Sequence, residues 1–81
     1  MYVAKNVDYT FIKSLGTHLK KTRVSMGITQ AQLAIDCDID VSVISRIERG
    51  ILNTSINNLR LIAEALQIDI RQLFAFLPAT E

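Results

Sequence analysis

Apolar residues recur at three- and four-residue spacing in five stretches, the period of a helix with one buried face. Ile12, Leu15 and Leu19 mark the first, over about residues 9–26. Asp8 precedes it as an N-cap, because a carboxylate accepts hydrogen bonds from the first free backbone N–H groups. Gly27 suits the left-handed position after the last turn, with Ile28 packing back on the helix end. Gly16 is out of place, since glycine in a helix interior costs about 1 kcal/mol against alanine. Close approach of another helix is the expected reason.

The second stretch, 30–37, follows a capping box: Thr29 caps the Gln32 N–H and the Gln32 side chain reaches back. Leu33 and Ala34 face inward, and Asp38 takes the turn. The third, 41–49, starts from Asp40 as N-cap, carries an Ile39–Ile44 hydrophobic staple and stops at Gly50. The fourth, 56–66, follows Ser55 and buries Leu59, Ile62, Ala63 and Leu66. The fifth, 70–77, follows Asp69, with Gln72 at the third helical position and an Ile68–Leu73 staple. It turns Ile70, Leu73, Phe74 and Leu77 to one side and ends at Pro78. No alternating strand pattern persists. The expected fold is all-α: one five-helix domain over residues 1–81. The turn Cys37-Asp38-Ile39 is so brief that the second and third helices must cross steeply, as a helix-turn-helix.

At about 100° per residue, with Ser42 at 0°, Ser45 falls at about 300°, Arg46 at about 40° and Arg49 at about 340°. Ile44 and Ile47 point the opposite way, at about 200° and about 140°. The exposed stripe of the third helix is therefore two hydroxyls and two guanidiniums, with no acid. The DNA major groove admits a helix with such a face, hydroxyls bond several base edges, and arginine bonds guanine O6 and N7 together. A merely soluble face has the same composition. Glu48, at about 240°, lies beside the core side and needs a cation; Arg23 is the candidate.

Composition narrows the chemistry. One cysteine among 81 residues excludes an internal disulfide framework and a multi-cysteine zinc site, and one histidine excludes His-rich metal ligation. The chain lacks a phosphate-binding glycine loop, a His-Glu-x-x-His motif and a nucleophile with supporting spacing, so no enzyme, metal or cofactor is expected. No apolar run approaches a membrane span, and MYVAKNVDYT lacks a signal-peptide apolar region. A net charge of +1 excludes a strongly basic nucleic-acid coat protein. That total hides an asymmetry. Residues 1–30 carry Lys5, Lys13, Lys20, Lys21 and Arg23 against Asp8, whereas Asp36, Asp38, Asp40 and Glu48 outnumber Arg46 and Arg49 over 31–50. Residues 51–81 are balanced to within one charge, Glu81 included.

The string Arg23-Val24-Ser25-Met26-Gly27-Ile28-Thr29-Gln30, then Leu33-Ala34, Ile39 and Val43-Ile44-Ser45-Arg46-Ile47-Glu48-Arg49-Gly50, resembles the XRE-type (lambda-repressor-like) helix-turn-helix family. Asn53-Thr54-Ser55, Leu59, Ile62-Ala63, Ala65-Leu66, Ile68 and Leu73-Phe74 continue the likeness over roughly residues 11–75. Within the family the chain looks most like small stand-alone regulators, in particular controller proteins of restriction–modification systems. The resemblance implies sequence-specific binding of double-stranded DNA, as a cytoplasmic homodimer on a pseudo-palindromic operator. It implies that Gln30 contacts phosphate, that Arg23 and Glu48 lock the first helix to the third, and that Val41, Ser42, Ser45 and Arg46 read bases. It places Arg49 and Asn53 near the DNA backbone, and Ile70, Phe74, Phe76 and Leu77 at a dimer interface. The sequence also departs from the family: Val41 stands where many relatives carry Gln or Arg, Thr22 where an apolar residue is usual, and Asp38 where glycine is frequent.

Several residues keep two readings. Cys37 reads as core packing before redox switch, and His18 as a plain surface histidine before a phosphate contact. Lys20 and Lys21 either flank DNA or only solubilise the first helix. Phe76 lies off the apolar face of the fifth helix, which leaves one aromatic for a partner copy. The competing function is a protein-interaction module, such as an antitoxin-like partner, which the acidic turn favours.

Overall fold

The computed structural model describes residues 6–78; Lys5 and Glu81, counted in the charge balance, lie outside them. Helices α1 (Tyr9–Ser25), α2 (Gln30–Cys37), α3 (Val41–Glu48) and α4 (Ile56–Leu66) are followed by a 3-10 turn, Ile70–Phe74. All five foreseen N-caps form. Asp8 accepts from Phe11 N (3.0 Å), Thr29 from Gln32 N (3.0 Å) and Asp40 from Ser42 N (2.8 Å). Ser55 accepts from Asn58 N (3.0 Å) and Asp69 from Arg71 N (2.8 Å).

One cap is simpler than expected. Gln32 does not reach back to Thr29; its Nε2 donates to Asp36 one turn ahead, at 2.9 Å. The carboxamide is turned forward, so its oxygen does not meet the Thr29 N–H and only the Thr29 half of the capping box forms.

The four helices end alike. Beyond each, a left-handed residue (Gly27, Asp38, Gly50, Gln67) closes the turn. The next residue is isoleucine every time, and its N–H returns to the helix: Ile28 to Arg23 O, Ile39 to Ala34 O, Ile51 to Arg46 O and Ile68 to Ala63 O. This is the Schellman arrangement, in which a hydrophobic residue past the cap covers the last turn. Ile28, Ile39 and Ile68 do pack on the core.

The expected fifth helix over 70–77 is shorter and tighter. Its bonds run three residues back, from Gln72 N to Asp69 O, Ala75 N to Gln72 O and Leu77 N to Phe74 O. Pro78 has no N–H to return to Phe74 O, so that carbonyl takes the Leu77 N–H instead and the last turn closes three residues back. Asp69 N donates to Gln72 Oε1 at 3.0 Å, which holds the turn's start.

The core is built from Leu15 and Leu19, Leu33 and Cys37, Ile44 and Ile47, Leu59, Ile62 and Leu66, and Leu73, all buried. Cys37 belongs to it. Burial first, then Asp36, pushes its thiol pKa up, so the thiol stays protonated. His18 is not without a partner, as the sequence suggested: its Nε2 lies 2.8 Å from Gln72 O. A carbonyl only accepts, so that nitrogen carries the proton and ties α1 to the 3-10 turn. Phe76 is not left over either. Its ring packs edge-on to Phe11 (5.6 Å) and tilted against His18 (5.8 Å), back onto α1.

Gly16 meets its expected neighbour. A Cβ there would lie 2.2 Å from the carbonyl oxygen of Ile47 and 2.8 Å from that of Glu48, so the end of α3 rides on the backbone of α1. Gly50 repeats the contact from the other side, against Lys13 Cα at 2.5 Å.

Gly16→Ala should therefore destabilise the fold by about 1–3 kcal/mol or more despite better helix propensity, read as a fall in Tm. Gln67→Gly should do the opposite. It removes left-handed strain at φ 58° and is expected to add about 1 kcal/mol, or about 4–8 °C in Tm. Asp69 supplies an acid dependence. Its hydrogen bonds from the Arg71 side chain and then the Arg71 N–H hold its carboxyl at about 2, below an ordinary 3.8. The stabilisation is complete above the ordinary value and is lost as pH falls through about 2. Tm measured from pH 5 to pH 2 should fall less in Asp69→Asn than in the wild type.

Candidate nucleic-acid interface

The foundation of the site is the α1–α3 contact. Arg23 and Glu48 are both buried and meet side by side: Arg23 Nε donates to Glu48 Oε2 at 2.6 Å and Nη2 to Oε1 at 2.9 Å. Arg23 Nη1 donates to Ile28 O at 2.8 Å, so the guanidinium also grips the α1 end turn. The hydrogen bond to Glu48 raises the Arg23 pKa against the opposing effect of burial, so the guanidinium stays charged. No buried side-chain polar atom among the described residues lacks a partner. That satisfaction is what makes a buried pair tolerable.

With the end of α3 fixed, its rotation is fixed too. Ile44 and Ile47 are buried, and the opposite face carries exposed Ser42 and Arg46, with Ser45 half-buried at its edge and exposed Val41 beside it at the start of the helix. Arg49 caps the helix and Asn53 lies in the following loop, both exposed. The structure thus brings Val41, Ser42, Ser45, Arg46 and Arg49 together on one surface. Arg46 Nε and Arg49 Nε lie along the helix, 3.3 Å from Ser42 O and 3.4 Å from Ser45 O. Neither forms a salt bridge among the described residues, so their charge is available.

The acids of the turn are mostly occupied. Asp40 caps α3, and Ser42, through its hydroxyl and then its N–H, holds the Asp40 carboxyl below the usual range. Asp36 takes Gln32, and Asp38 occupies the left-handed turn.

Gln30 opens α2, but not with a free side chain. Its Nε2 donates to Glu48 Oε1 at 2.9 Å. No sequence pattern announced this bond, which spans 18 residues. Thr29 caps Gln32, and the backbone N–H groups of Gln30 and Ala31 find no acceptor among the described residues. A helix start in that state favours an anion.

Ile70 and Phe74 are half-buried, Phe76 is engaged with α1, and Leu77 is 44% exposed. Sequence reasoning missed Ile56, the first residue of α4, which is 80% exposed. Helical spacing puts it on the buried stripe, three residues before Leu59 and seven before Ala63, yet at the first turn of α4 it stands out in solvent. Phe11, Ile56 and Phe74 line one apolar cleft of about 210 Å³.

Comparison with known proteins agrees with the geometry. A family model described as helix-turn-helix matches residues 19–73. Control protein C.BamHI of Bacillus amyloliquefaciens is 36% identical over 62 residues, covering 75% of this chain and 76% of that protein. The restriction-modification controller protein C.AhdI from Aeromonas hydrophila superposes with a TM-score of 0.80 at 35% identity, over 82% of this chain and all of that one. The wild-type restriction-modification controller protein C.Esp1396I superposes at 0.73 with 33% identity, over 79% and 83% of the two chains.

Glu48→Ala should lower stability by about 3–5 kcal/mol, because it leaves the Arg23 charge buried and unpaired. Urea unfolding measures this. An unchanged midpoint would mean that the pair contributes nothing to the fold.

Proposed function

The chain belongs to the helix-turn-helix family of DNA-binding transcription regulators, and from that premise we propose that it acts as a homodimeric controller protein of a restriction–modification system. The family is not enzymatic. The observation that carries the reading is the α3 surface: its isoleucines are buried, Ser42 and the Arg46 and Arg49 guanidiniums are outward with Ser45 at the edge, and neither arginine forms a salt bridge among the described residues. In this account Gln30 and the start of α2 grip a backbone phosphate and set the register. Ser42, Ser45 and Arg46 read base edges, and Val41 offers a methyl contact. Arg49 and Asn53 hold the flanking backbone.

Dimerisation runs through Phe74, Leu77 and the neighbouring Ile56, with Ile70 and Phe76 supporting that surface from within. A domain this small buries only about 60–65% of its unfolded surface and gains from a partner. Two α3 helices related by a two-fold axis then enter successive major grooves about 34 Å apart. The molecule is 38 × 37 × 19 Å, so side-by-side copies suit that spacing. Such a regulator works in the cytoplasm, and no helix among the described residues is long and apolar enough to cross a membrane. The protein-interaction alternative is less favoured, because two acids of the turn, Asp36 and Asp40, already serve α2 and α3.

Selection from random DNA with the purified protein should enrich an inverted repeat whose affinity falls steeply with salt. Arg46→Ala should then lose about 1–3 kcal/mol and relax preference at one base position of each half-site. Unchanged preference at every position would remove Arg46 from the readers. Sedimentation should give a dimer for the wild type and a monomer for Ile56→Asp or Leu77→Asp. A wild-type monomer at high micromolar concentration would contradict the two-fold arrangement.

A further inference from the structure

Glu48 is placed to do more than neutralise Arg23. Its carboxylate receives two N–H groups from Arg23 and one from Gln30, and so touches all three of α1, α2 and α3. The Glu48 side chain is 1% exposed, so water does not compete for these bonds. A carboxylate only accepts, which obliges the Gln30 carboxamide to turn its nitrogen inward rather than its oxygen. That nitrogen carries two hydrogens. One is taken by Glu48; the other is the last donor the side chain has. A phosphate oxygen also only accepts, so a backbone contact from Gln30 needs that second hydrogen. Without Glu48 the carboxamide presents its oxygen as readily as its nitrogen, and an oxygen facing a phosphate repels it.

We propose that Glu48 is a positioning residue for DNA binding: held by Arg23, it fixes the Gln30 carboxamide so that the free N–H meets a backbone phosphate. This rests on the reading of Gln30 as a phosphate contact. The same carboxylate that locks α3 to α1 thereby presets the grip of α2 on DNA, and no rearrangement is needed when the duplex arrives.

A double-mutant cycle tests this on a duplex selected from random DNA by the wild-type protein, at a temperature where every variant is folded. Gln30→Ala should weaken binding about five- to tenfold, the loss of one well-placed hydrogen bond. Glu48→Gln should weaken it by a similar factor when Gln30 is present, and by less than about twofold in the Gln30→Ala background. If Glu48→Gln costs the same in both backgrounds, Glu48 acts by another route and the proposal falls while the phosphate contact stands. If Gln30→Ala binds normally, the phosphate contact itself falls, and the proposal with it. A measurement on the wild type guards against a Glu48→Gln that does not fold. The side-chain NH₂ of Gln30 should show a backbone-like NMR order parameter, about 0.8, in the absence of DNA. A value below about 0.6, typical of a free side chain, overturns the proposal.

Discussion

A buried carboxylate at the end of α3 is the feature around which the rest is arranged. Glu48 alone would be costly to bury, by several kcal/mol. Arg23 meets it with two parallel hydrogen bonds, and the remaining Arg23 and Glu48 capacity goes to Ile28 O and Gln30. Such a pair has little latitude. It brings the last turn of α3 onto α1, and only glycine at position 16 lets the Ile47 and Glu48 carbonyls come that close. Helix α3 has eight residues, too few to hold an orientation by itself. Its outward stripe is a consequence of what its other end is bolted to.

Economy of connection follows from the helix ends. Each Schellman turn reverses the chain in two residues and returns an isoleucine N–H to the helix just finished. Between α2 and α3 the residue at that position is Ile39, directly before the Asp40 cap, so one turn closes one helix and opens the next. The acidic residues of this turn, which look unfavourable for DNA when counted as charges, are there as structural acceptors.

Local chemistry was legible in the sequence. The N-caps, the buried stripes and the turn at Asp38 each depend on a few adjacent residues, and each is where the spacing put it. What could not be read depends on residues far apart. The Gln30–Glu48 bond spans 18 positions and the His18–Gln72 bond 54, and no periodicity encodes either. The same holds for Phe76, which the face of its own short segment leaves over but which α1 receives. Gln67 carries no left-handed signature; tertiary closure imposes that geometry on it. The last segment read as helix because its cap and staple are those of a helix, while Pro78 withholds the N–H that a further α-helical turn needs and the segment closes as a 3-10 turn.

Native-state amide hydrogen exchange tests most directly whether α3 is held as one body with α1. The amides of Ile47 and Glu48 should exchange only through global unfolding, with the same opening free energy and denaturant dependence as Ile62 and Leu66 in α4. Exchange of α3 through a separate, cheaper opening that leaves α1 and α4 protected would contradict the account.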